Sequence, residues 1–67
     1  MAIARDTHII ASSPKGIEEA IQLGLKRAAK TIRGITGIHI DEINAKVVRG
    51  KLVEYRVHMR ITFILEE

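Results

Sequence analysis

The residues with the most chemistry to offer alternate near one end of the sequence: Arg56, His58 and Arg60, with Glu54 beside them. Residues two apart on a strand project from one face, so this set forms a polar row. Two of its members are fixed cations that only donate hydrogen bonds. Such a row could hold phosphate or carboxylate in a guanidinium fork. It could equally form a ladder of ion pairs with Glu42 or Glu54 of a neighbouring copy. His8, His39 and His58 raise the question of a metal, but their spacing matches no ligand motif and places them on three different strands. By strand alternation His8 and His58 can share a sheet face. Asp41 and Glu42 keep a hard-cation site open, although adjacent strand residues ordinarily point to opposite faces. Ser12 and Ser13 have no histidine or acid at a recognisable spacing, and the sequence contains neither G-x-G-x-x-G nor a P-loop. No set of acid, base and nucleophile can be assembled, so we expect no catalysis and no metal site.

These side chains need a scaffold, and 67 residues with 46% hydrophobic content provide one small domain, expected over 1–67. A chain of this size buries only about 60% of the surface its unfolded form exposes. Small domains are commonly reinforced by disulfides, metals or oligomerisation. With no cysteine, the first is excluded, and self-association becomes the expected reinforcement. "MAIARDTH" holds no apolar run of signal-peptide length and nothing approaches a membrane span, so a cytoplasmic protein with no membrane partner is expected. The net charge of +3 allows anionic partners and is also ordinary for a soluble surface.

Residues 3–11 alternate and read as a first strand. Ser13 fits a helix N-cap with Pro14 at the first helical position. Ile17, Ala20, Ile21, Gly24, Leu25, Ala28 and Ile32 then recur every three or four residues, which predicts a helix over 14–33. Glu18 and Glu19 near its start and Lys26, Arg27 and Lys30 near its end suit the helix dipole, and Gly34 fits the C′ position. Residues 37–48 read as a second strand whose apolar parity changes near Asp41–Glu42. The change predicts a bulge or bend that would let one strand serve two surfaces. After a turn at 49–51, the odd residues from Val53 to Leu65 are all apolar, which predicts a third strand with one buried face and places Tyr55 and Phe63 in the core. The order is β-α-β-β, an α+β fold, and one helix cannot cover so long a sheet.

The helix lead-in S-P-x-x-x-E-E-A, the run "RAAKTIR" and the ending E-Y-x-V…F-x-L-E-E together resemble the dodecin family across nearly the whole sequence. The resemblance implies a three-stranded antiparallel sheet wrapped around one helix, assembled into a hollow homododecamer. It also implies flavin sites at two-fold interfaces, where a tryptophan after the helix stacks on the isoalloxazine ring and a glutamine in E-Y-Q-V bonds its polar edge. Those family positions fall on Gly37 and Arg56, with His58 beside them as a third candidate ligand residue. Gly37 thus stands where the stacking platform belongs, unless it merely serves a turn that needs positive φ.

Stacking on an aromatic ring contributes about 0.5–1.5 kcal/mol beyond buried area, and glycine supplies none of it. The sequence has no tryptophan at all. Arg56 puts a cation where a neutral donor–acceptor belongs. We therefore expect a dodecin-like storage or binding protein on which riboflavin and FMN bind weakly or not at all, and a more anionic ligand could replace them. The rival reading is a small basic nucleic-acid-binding module with Lys26, Lys30 and Arg33 as its footprint. It is less favoured, because the charges form no stripe and no exposed aromatics offer stacking. A ligand-free or metal-binding structural shell is the third alternative.

Overall fold

The computed structural model describes residues 3–65, so Glu66 and Glu67 of the closing E-E pair lie outside the described residues. The elements are β1 (Ile3–Ser13), α1 (Ile17–Ala29), β2 (Ile35–Val48) and β3 (Lys51–Leu65). The sheet order is β1-β3-β2, with β3 antiparallel to both neighbours. β3 is therefore the central strand, which explains why it carries the longest apolar alternation. Among the described residues no helix is long and apolar enough to cross a membrane.

The helix is shorter than its periodicity predicts, at both ends. Ser13 does not cap it; it is the last residue of β1, paired with Tyr55 and buried. Its hydroxyl donates to the Glu19 carboxylate at 2.7 Å and accepts the Lys15 amide at 3.0 Å. These bonds fold residues 13–15 into a local turn, so Pro14 precedes the helix and Gly16 is the N-cap. At the other end Lys30 is the C-cap, and the Thr31 and Ile32 amides both return to the Ala28 carbonyl. Gly34 is not the C′ residue. It has φ 78° and receives the Ile64 amide on its carbonyl at 2.9 Å, and a Cβ there would lie 2.9 Å from the Ile64 oxygen. Gly34 thus docks the start of β2 against β3, and the helix must end early to let it.

The parity change in β2 is a bulge, as the pattern predicts, with the register shifting between Ile40 and Glu42. Its effect differs from the expectation of two surfaces. Ile38 and Ile40 lie opposite Ile61 and Met59, and beyond the bulge Ile43 and Ala45 lie opposite Val57 and Tyr55. The extra residue keeps both apolar sets on the inner face despite their opposite parities. Arg49 and Gly50, both with positive φ, form the two-residue turn to β3, whose primed geometry suits the twist of a hairpin.

α1 presents a stripe of small residues, Ala20, Gly24 and Ala28, to Val57, Met59 and Ile61, and all six are buried. Ile9, Ala11, Ile21 and Ile38 close the rim of this core, while Tyr55 and Phe63 are only half-buried. A 13-residue helix is about 20 Å long, whereas a 15-residue strand runs about 50 Å. Much of the inner face therefore lies beyond the helix.

Candidate functional site

The outer face of the sheet gathers the polar row of β3 and its cross-strand partners. Arg60 stands between His8 on β1 and His39 on β2. Its guanidinium reaches both oxygens of Asp41, with Nε at 3.2 and 3.1 Å and a terminal nitrogen 3.1 Å from Oδ1. Asp6 lies 3.8 Å from the same guanidinium and accepts the Thr62 hydroxyl at 2.8 Å. His39 also reaches Asp41, at 3.3 Å. Asp6 attracts no attention in the sequence, since only the strand register places it near Arg60 and Thr62.

The bulge changes the reading of the adjacent carboxylates. Asp41 and Glu42 do not point to opposite faces: Asp41 engages Arg60, and Glu42, opposite His58, accepts the Asn44 amide at 2.8 Å. Both serve the outer face but hold different partners. Among the described residues no group of three or more histidines or acids converges to hold a metal.

Arg56 lies opposite Ser12 and Asn44, with a terminal nitrogen 3.6 Å from Glu54 of the same chain. Within one protomer Arg56 therefore already has an acidic neighbour on its own strand. Arg56 and Glu54 line an open groove of ≈ 360 Å³ together with Asn44, Ala45 and Lys46. His58 is two residues along on the same face.

Gly37 is elsewhere. It pairs with Thr62, six residues from Arg56 on β3, which is about 20 Å along the strand. The register shifts between Ile35 and Gly37, and a separate groove of ≈ 530 Å³ runs past Gly37 between β2 and the helix residues Leu25 and Ala29. The positive-φ glycines are Gly34 and Gly50, so the turn reading of Gly37 falls: it is an ordinary strand residue. A Cβ built on it meets no atom within 4 Å. Backbone geometry and packing within the protomer therefore leave room for a larger side chain at this position. The fold brings Arg56 and His58 together and leaves Gly37 apart, so no single protomer unites the three candidate ligand residues.

Comparison with known proteins matches this geometry. The family model described as Dodecin matches residues 3–66. The dodecin of Thermus thermophilus is 32% identical over 65 residues, covering 97% of this chain and 94% of the relative. Among solved structures, an arginine-to-alanine variant of the T. thermophilus dodecin superposes with a TM-score of 0.94 at 31% identity, covering 100% of both chains. The dodecin of Streptomyces davaonensis superposes with a TM-score of 0.92 at 29% identity, covering 98% of this chain and 97% of the other. A tryptophan-to-phenylalanine variant of the T. thermophilus protein is also among the solved structures, whereas this chain carries no tryptophan.

Proposed function

Because the chain belongs to the dodecin family, we propose that it forms a homododecameric shell that binds or stores a small ligand at interfaces between protomers, and that riboflavin and FMN bind it weakly or not at all. In this reading the shell is a binding protein, not an enzyme, and it works in the cytoplasm. The observation that carries the flavin reading is Gly37, a strand residue with open space where the family's stacking side chain would project.

Two further features support the assembly. Apolar residues on the inner face beyond α1 remain exposed in one protomer: Val47 by 58%, and Leu52, which a further register shift between Lys46 and Val47 sets opposite Val47, by 55%. Contiguous apolar surface of this kind marks an interaction site. The separation of Gly37 from Arg56 along β3 also means that a ligand touching both needs a second copy of the chain. Arg56 favours a phosphate or carboxylate on the ligand, which must displace Glu54 from the guanidinium.

Light scattering tests the shell, with a mass near twelve protomers expected. Equilibrium dialysis against riboflavin and FMN tests the ligand, using the wild type, Gly37→Trp, and Gly37→Trp combined with Arg56→Gln. We expect no saturable binding by the wild type and flavin binding by the double variant. Tight wild-type binding near one flavin per protomer would overturn the flavin reading and leave the shell standing.

A further inference from the structure

One pair of side chains on the outer face belongs to neither candidate groove. His8 on β1 lies opposite Arg60, and His58 on β3 lies opposite Ile10, so the two histidines are diagonal neighbours across the β1–β3 ladder. Diagonal neighbours lie within reach of each other when their side chains are long or aromatic. The ring centroids are 5.9 Å apart, with the planes inclined at 44°.

That spacing suits two imidazoles sharing one metal ion. A nitrogen–metal bond of about 2.0–2.1 Å places each ring centroid about 3.2 Å from the ion, so two centroids stand about 4.5 Å apart at a right angle and about 6.4 Å apart when opposed. The observed 5.9 Å falls inside this window. The surrounding groups are engaged with one another and not with the rings. Glu42 accepts from Asn44, Asp6 from Thr62, and Arg60 is clamped by Asp41. The two cations that flank His58 on β3, Arg56 and Arg60, are each already beside a carboxylate, Glu54 and Asp41. His39, on the opposite edge strand, is already turned to Asp41.

We propose that His8 and His58 form a two-imidazole site for a borderline divalent transition ion of the zinc or copper class, with water completing the coordination. Imidazole nitrogen suits these ions better than it suits magnesium or calcium. With two protein ligands the site is reversible, and an occupied site ties β1 to β3. It shares His58 with the candidate ligand residues but uses neither Gly37 nor Arg56, so metal binding and flavin binding are read separately.

The test is calorimetric titration of chelator-treated protein with Zn²⁺, together with electron paramagnetic resonance of the Cu²⁺-loaded protein at neutral pH. One ion per chain is expected, with two nitrogen ligands in the copper spectrum. His8→Ala and His58→Ala should each weaken binding at least tenfold, and His39→Ala should leave it unchanged. Circular dichroism separates loss of a ligand from loss of the fold. If a variant fails to fold, the nitrogen count of the wild-type copper spectrum decides alone. No saturable binding, fewer than two nitrogens, binding that survives loss of either histidine, or an equal loss in His39→Ala would each overturn the proposal.

Discussion

The inner face of the sheet is one alternation pattern with two fates. Beneath α1, Val57, Met59 and Ile61 are fully buried. Toward the β2–β3 turn, Ile43, Val47, Leu52 and Val53 carry the same chemistry and stay exposed. The difference is length, since a helix of about 20 Å lies on a sheet of about 50 Å. The residue pattern of β2 and β3 is therefore written for a surface larger than one protomer can cover. The buried half sustains the protomer, and the bare half sustains the proposed assembly.

The sharpest way to break this comparison is to cut the buried half. Met59→Ala removes a fully buried side chain that lies beneath Gly24 of the helix. We expect a loss of about 2–5 kcal/mol, read from the urea midpoint. A cost below about 1 kcal/mol would mean that the helix-covered core is not what holds the protomer.

Leu52→Asp makes the opposite cut. It introduces a charge into the bare half without touching the core beneath α1. Burying a leucine stabilises by about 1.5–3 kcal/mol, and a buried carboxylate adds a desolvation cost. The expected result is a fall in mass by light scattering with the far-ultraviolet circular dichroism spectrum retained. Unchanged mass would remove the bare half from the assembly interface.

Much of this architecture is legible in the sequence because it rests on local periodicity. The odd residues of β3 announce a one-sided strand, and the parity change at Asp41–Glu42 announces a bulge. What the bulge achieves is not legible. It keeps Ile38, Ile40, Ile43 and Ala45 on one face because β3 offers a single continuous partner, and that is a property of pairing. Ser13 fails as a cap for a related reason: local preference favours the helix terminus, but pairing with Tyr55 holds the residue in the sheet. Gly34 signals a break correctly, yet the break serves contact with Ile64, four residues past the C-cap. The candidate site is less legible than the fold. Arg56 and His58 are neighbours by simple alternation, whereas the approach of His8 to His58 and of Asp6 to Arg60 depends on the β1–β3 register.

Gly24→Ala sharpens the comparison on a finer scale. A Cβ at this position would sit 3.0 Å from Met59 Cε, 3.1 Å from Ala11 Cβ and 3.2 Å from Ile9 Cδ1. Alanine gains about 1 kcal/mol of helix propensity. Overpacking costs about 1–3 kcal/mol, and Ala11 Cβ, fixed to its strand, cannot swing aside as the methionine terminus can. We expect a net loss of about 1 kcal/mol in the denaturant midpoint. A gain in stability would mean that the helix can lift from the sheet and that this half of the inner face is less closely packed than the distances imply.

The smallest effect belongs to the outer face. Arg60 holds Asp41 through several nitrogen–oxygen contacts and also approaches Asp6, but the side chains of all three residues remain partly exposed. Exposed ion pairs typically contribute about 0–1 kcal/mol. Arg60→Ala should therefore cost about 1 kcal/mol at most, and a double-mutant cycle with Asp41→Ala should assign most of that loss to the pair. The cost should shrink in high salt, because screening acts on partly exposed charges. A coupling well above 1 kcal/mol that persists in high salt would mean that the outer face is dry in the protein as it exists in solution. The polar side of the sheet would then belong to an interface as much as the bare apolar half does.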